Sequence, residues 1–336
     1  MKFLSLFLQK ITDLDILHYQ KDFINFLESK QWVRAPKNLY EPLDYILKLG
    51  GKRMRPILTL MAADIFSGAY QKAMPAALAV EVFHNFTLIH DDIMDAAPLR
   101  RGKATVHEKW DVNTGILSGD AMLILAYQFF ENYEPIVFQK LAKLFSKTAL
   151  EVCDGQQLDV DFETRNDVTI DEYIDMIRLK TSVLVAAALK MGAIVAEANE
   201  EDADLIYDFG LNLGLAFQLQ DDYLDTFGDP ATFGKQIGGD IIENKKTYLY
   251  LKSLAIANEE DRKRLREFYD QKLENNTAKI AEVTQVFESN NIPVLIKEKI
   301  ANYTEKAFET LSSMRISEEN KEGLKNFGLW LMNRSV

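Results

Sequence analysis

The chain has 336 residues, of which 47% are hydrophobic, 11% aromatic and 27% charged; that is enough apolar material for a sizeable core and excludes a disordered chain. A formal net charge of −12 argues against nucleic acid as a partner. The single cysteine, Cys153, rules out an intrachain disulfide and a cysteine-built zinc cage, and fits a reducing, cytoplasmic setting.

Along the chain, the opening MKFLSLFLQKITDLD carries a run of only six residues, Phe3 to Leu8, that is apolar apart from Ser5, too short for a signal peptide. Helical periodicity predicts helices over about 40–55, 56–68, 73–95, 114–133, 135–162, 170–196, 201–227 and 240–257, followed by charged amphipathic helices over about 259–333. Residues 136–229 contain no proline, as long helices require. Within that run Thr169 and Glu172 form a capping box, and Ile170, Tyr173, Ile174 and Ile177 follow it at amphipathic spacing. SVLVAAALKMGAIVA is the nearest approach to a membrane span and is broken by Lys190, so no stable membrane insertion is expected. Alternating, turn-bounded segments are scarce. The expected fold class is therefore all-α, and without a Gly/Ser- or Pro-rich linker residues 1–336 are expected to form one domain, with its motifs over about 40–250.

Two acidic clusters interrupt these helices. DDIMD places Asp91, Asp92 and Asp95 at the end of one predicted helix, and QDDYLD places Asp221, Asp222 and Asp225 at the end of another. Carboxylates four residues apart share a helix face and repel. The negative end of the helix dipole adds to that cost. A divalent cation offsets both, and all-oxygen ligands suit Mg²⁺ or Mn²⁺, with water and a substrate phosphate completing the shell. Other metal and nucleotide motifs fail on inspection. GGKR has Ile46 and Arg53 where a P-loop needs Gly and Ser/Thr, HEKWD has Asp111 where a zinc helix needs His, and DVNTGILSGDAM ends on Met122 where a calcium loop needs Glu.

Cations accompany each cluster. GGKRMRP supplies Lys52, Arg53 and Arg55 after two glycines; Arg100 and Arg101 follow the first acidic set; Lys180 stands in RLKTS; Lys235 and Lys245 follow the second set. A metal-bridged diphosphate needs both kinds of partner, because the metals leave part of its negative charge for Lys and Arg.

GGKRMRP, DDIMD followed by RRGK, LKT, FQLQDDYLD, GK and DIIENKKT together resemble the trans-isoprenyl diphosphate synthases, or polyprenyl synthetases, in order and spacing. The resemblance implies a bundle of long helices around a central cavity, a homodimer, and the two aspartate motifs facing each other at the cavity mouth. It implies about three Mg²⁺ per active site, held directly or through water by Asp91, Asp92, Asp95, Asp221, Asp222 and Asp225. Arg100, Lys180, Thr181, Gln218, Lys235 and Lys245 match contacts of the allylic diphosphate, with Lys180, Thr181 and Gln218 beside the reacting cation. Lys52, Arg55, His84 and Arg101 match the site for isopentenyl diphosphate, and Arg53 is a further candidate. The implied reaction joins isopentenyl diphosphate to an allylic diphosphate (dimethylallyl, geranyl or farnesyl) and releases diphosphate.

Product length is expected to be set by the helix before DDIMD, where Phe86 and Thr87 lie one turn and Phe83 two turns from Asp91. A bulky Phe86 beside a small Thr87, with no insertion in the first motif, resembles synthases that stop near C20, geranylgeranyl diphosphate. The alternatives are a farnesyl (C15) or longer-chain synthase, a class I terpene cyclase, and a non-catalytic subunit that binds prenyl diphosphate. A cyclase has no use for GGKRMRP and RRG, and a silent subunit has no use for two intact aspartate motifs.

Overall fold

The computed structural model describes residues 16–229, 237–270 and 276–332. Its contacts divide into two compact units, one drawn from Met1–Ser146 and Ala187–Asp204, the other from Lys147–Ala186 and Leu205–Val336.

In the first unit, helices α1 (16–28), α2 (Lys37–Lys48) and α3 (Met54–Ser67) lead through a 3-10 turn to α4 (Met74–Met94). α4 is buried on nearly every side, from Met74 to Ile89, as befits a helix apolar all round. After it comes a two-residue antiparallel hairpin, β1 (Leu99–Arg100) with β2 (Lys103–Ala104), then α5 (Val106–Lys109) and α6 (Val112–Gln128). Asp111 caps α6 by accepting the Thr114 amide at 2.9 Å. The unit is completed by the first part of α7 (Pro135–Thr164), the later part of α9 (Val183–Val195) and the start of α10 (Glu200–Phe227). Gly192 lets α9 close on α3, since a Cβ there would stand 2.2 Å from the Thr59 carbonyl oxygen.

The second unit holds the rest of α7, then α8 (Ile170–Ile177), a π-helical turn over Arg178–Ser182, and most of α10. The capping box forms as expected: Thr169 accepts the Glu172 amide and Glu172 accepts the Thr169 amide. Beyond α10 come α11 (Gly239–Ile242), α12 (Tyr248–Ile256), α13 (Glu259–Asp270), α14 (Asn276–Ser289), α15 (Ile292–Ser313) and α16 (Glu318–Met332). Val283, Phe287, Ile292 and Ile296 from these later helices share one core with Tyr173, Leu215 and Leu219.

The fold is all-α, and three predicted helices are interrupted. Gly50 and Gly51, at φ of 83° and 123°, stop the helix predicted over 40–55, because only glycine adopts such angles without strain. The stretch 170–196 contains the π turn, whose residue types do not distinguish it from α-helix. The helix predicted over 240–257 breaks at Asn244, which ends α11 in the left-handed conformation at φ 58°. No described helix is long and apolar enough to cross a membrane.

Candidate active site

The GGKRMRP and DDIMD motifs lie in the first unit. Asp91 and Asp92 occupy the last turn of α4, and Asp95 is its C-cap. Arg100, carried back by the hairpin, donates its Nε to both oxygens of Asp92 at 2.8 Å, and its Nη2 lies 2.6 Å from Asp92 Oδ1 and 3.5 Å from Asp91 Oδ2. Burial raises the Asp92 carboxyl above the usual range, with the Arg100 guanidinium opposing it. Burial pulls Arg100 the other way, but Asp92, Asp91 and Asp95 more than offset this and keep it firmly charged.

Arg101 sits at φ 53° and donates to the Gly50 carbonyl, while a Cβ on Gly51 would stand 2.9 Å from its guanidinium carbon. The glycine pair therefore provides the berth for Arg101. Arg55 Nη1 lies 3.2 Å from His84 Nε2. Burial first, then the charges of Arg55, Arg101, Arg100 and Arg53, hold His84 well below its ordinary pKa. The ring is thus neutral, and because arginine can only donate, Nε2 must accept and Nδ1 must carry the proton. Lys52 is exposed, and its carbonyl accepts from Gln20 on α1 at 3.2 Å. Arg53 differs from the sequence expectation. It is buried, its guanidinium donates to Glu81 and to the Leu47 carbonyl, and Asn85 donates to the same Glu81 oxygen at 3.0 Å. Arg53 thus braces the loop from within, its guanidinium engaged by Glu81 and Leu47.

Phe83 is 1% exposed and Phe86 9%. Their ring centroids are 5.5 Å apart, and Phe83 also meets Phe145 edge-on at 5.0 Å. Phe145 in turn packs on Phe130 and Tyr127 at 5.2 and 4.7 Å. Thr87 spends its hydroxyl on the His84 carbonyl at 2.8 Å.

In the second unit, Asp221, Asp222 and Asp225 lie in the final turns of α10. Asp222 is buried and accepts the Tyr173 hydroxyl at 2.5 Å as well as a bond from the Gln218 side chain. Burial, then the charge of Asp240, pushes its carboxyl well above the usual range. Asp225 Oδ2 accepts the Asp240 amide at 3.0 Å. Lys180 projects from the π turn and its Nζ donates to Asp159 Oδ2 at 2.5 Å. Gly155 makes room for that turn, since a Cβ would stand 2.2 Å from the Lys180 backbone nitrogen. Thr181 and Gln218 are half-buried. Lys245 pairs with Glu243 at 3.0 Å; burial opposes its charge, but Glu243, Asp240 and Asp159 together raise its pKa. Lys235 lies outside the described residues.

Asp159 and Asp240 were not singled out from the sequence, and Tyr173 was read there only as a position on the apolar face of its helix. Asp240 could have been found in the quoted DIIENKKT, as an acid among the cations beyond the second cluster. Asp159 and Tyr173 join their partners across 21 and 49 residues, which spacing alone does not reveal.

Among the described residues no three His, Cys, Asp or Glu side chains converge into a metal cage. Mg²⁺ does not need one, because it takes one or two carboxylates from a given element and fills its octahedron with water and phosphate oxygens. Carboxylate clusters at helix ends, each flanked by fixed guanidinium or ammonium groups, fit that ion and a diphosphate ligand.

The family model described as Polyprenyl synthetase matches residues 36–287. A solved geranylgeranyl pyrophosphate synthase is 56% identical, with a TM-score of 0.91 over 95% of this chain and 98% of that one. The geranylgeranyl diphosphate synthase of Methanosarcina mazei is 42% identical over 221 residues, 65% of this chain and 68% of that protein. The geranylgeranyl pyrophosphate synthase of Corynebacterium glutamicum, solved with isoprenyl diphosphate and magnesium, is 25% identical, with a TM-score of 0.81 over 97% of this chain and 96% of that one.

Proposed function

The chain belongs to the polyprenyl synthetase family, and from that premise we propose the reaction, the cofactor and the residue roles. It is a prenyltransferase that condenses isopentenyl diphosphate with an allylic diphosphate into a trans-prenyl diphosphate, with C20 geranylgeranyl diphosphate as the product. The observation that carries this reading is the pair of aspartate motifs on helix ends, each with its own cations, inside a chain similar to proteins named as geranylgeranyl diphosphate synthases.

The cofactor is Mg²⁺, about three ions per site, with Mn²⁺ a competent substitute. The donor set supports it, and magnesium accompanies isoprenyl diphosphate in the Corynebacterium protein. When bound, the metal neutralises and polarises the diphosphate leaving group. Asp91, Asp92, Asp95, Asp221, Asp222 and Asp225 hold it, directly or through water. Arg100, Lys180, Lys235 and Lys245 supply positive charge to the allylic diphosphate, so that the C–O bond breaks with its electron pair leaving on oxygen.

Thr181 and Gln218 direct their dipoles at the allylic cation. Lys52, Arg55 and Arg101 hold the isopentenyl diphosphate, and neutral His84 orients Arg55 by accepting its N–H. The alkene of that substrate forms the new C–C bond, and the proton on the neighbouring carbon leaves to the departed diphosphate. Apolar walls keep water from the cation, and Phe83, Phe86 and Thr87 limit chain growth.

We take residues 1–336 as one synthase domain, supported by three helices, α7, α9 and α10, that each contribute residues to both contact units. The proposed assembly is a homodimer, supported by apolar side chains exposed on α6. The proposed compartment is the cytoplasm, on the strength of the single cysteine. The test is incubation of purified protein with labelled isopentenyl diphosphate, each allylic starter and Mg²⁺, then chromatography of the dephosphorylated products. A C20 alcohol is the expected end point. Products confined to C15, or extending well beyond C20, would refute the chain length, and cyclised hydrocarbons would refute the reaction.

A further inference from the structure

Tyr173 has no place in the reaction as proposed, yet it makes a buried bond that apolar packing does not require. It is 4% exposed and Asp222 is 3% exposed, and 49 residues separate them in the chain. Tyr173 belongs to one buried apolar cluster with Phe162, Met176, Leu215, Leu219 and Ile241, a setting that would accommodate phenylalanine equally well. What the hydroxyl adds is its bond to Asp222 Oδ2, 2.5 Å away.

The phenol is placed by a rigid support. Thr169 and Glu172 cap α8 reciprocally just before Tyr173, and the π turn that directs Lys180 to Asp159 follows at the other end of the same helix. On α10, Gln218 supplies a second donor to Asp222 one turn before it. A carboxylate held by two donors from two helices has lost its rotational freedom, and oriented ligands bind metal more tightly than mobile ones.

We propose that Tyr173 is a positioning residue for the second aspartate motif, its hydroxyl fixing the Asp222 carboxylate in the orientation that metal uptake requires. The inference rests on the reading of Asp222 as one of the metal-binding carboxylates.

Tyr173→Phe keeps the ring and its packing and removes only the hydroxyl. Mn²⁺ is titrated calorimetrically into wild type, Tyr173→Phe, Asp222→Asn and the double variant, each in the presence of inorganic diphosphate. The dependence of elongation rate on Mg²⁺ and the melting temperature are recorded in parallel. Loss of the hydroxyl is expected to weaken Mn²⁺ uptake by about 10- to 100-fold and to raise the Mg²⁺ concentration for half-maximal rate, with a modest fall in melting temperature from the lost buried bond. In the Asp222→Asn background the same change should add little, because the carboxylate it orients is gone.

Wild-type Mn²⁺ uptake by Tyr173→Phe, or equal weakening in both backgrounds, overturns the inference and leaves the proposed reaction standing. If wild-type protein takes up no Mn²⁺ with diphosphate, the metal reading of Asp222 fails and the inference falls with it.

Discussion

At His84 the charge state follows from the surroundings. Burial and four nearby arginines hold its pKa well below the ordinary value of 6.5, so on acidification the unfolded chain takes up this proton before the folded one does. Stability therefore falls as pH drops through and below 6.5. The raised carboxyls of Asp92 and Asp222 act with the opposite sign, so the comparison with His84→Gln isolates the histidine. The wild type should lose more stability than the variant between neutral and mildly acid pH in denaturant unfolding, and parallel pH profiles would show that His84 does not titrate this way. Phe86 supports a second residue-level prediction. Phe86→Ala should lengthen the products, and an unchanged distribution would show that its ring does not stop growth. Phe83 is the less suitable probe, because truncating a fully buried aromatic costs about 3–5 kcal/mol of stability.

Elements carry the site through close approaches. Gly155 on α7 meets the π turn so tightly that a methyl group would stand 2.2 Å from the Lys180 nitrogen. Gly155→Ala should cost about 1–3 kcal/mol by overpacking and lower kcat/KM for the allylic substrate by misplacing Lys180; thermal melts and steady-state kinetics at wild-type values would contradict this. The helices themselves were largely legible in the sequence, since proline spacing, the Thr169–Glu172 box and apolar periodicity report local energetics. The aspartate motifs were legible too, because like charges gathered at a helix end need a cation. The π turn was not, as Arg178–Ser182 has an ordinary helical composition. Nor were the inward turn of Arg53 onto Glu81 and the bond from Tyr173 to Asp222, which are tertiary pairings between residues 28 and 49 positions apart.

For the whole molecule, the proposed homodimer rests on an unusual surface. Leu117 and Ile124, two turns apart on one face of α6, are each 59% exposed, and Ile136 at the start of α7 is 71% exposed. Large side chains aligned in this way mark a contact surface more often than isolated exposed apolar residues do. Sedimentation should find a dimer for the wild type and a monomer for Leu117→Lys/Ile124→Lys, and a dimer in both would move the interface elsewhere. The central claim is that one metal-dependent condensation uses both acidic sets. The most direct measurement is the rate of labelled isopentenyl diphosphate incorporation, with and without Mg²⁺, by wild type, Asp91→Asn and Asp221→Asn. The predicted result is elongation by the wild type only with Mg²⁺ and a loss of about 100-fold or more in each variant. Elongation without metal, or a wild-type rate in either variant, would contradict it.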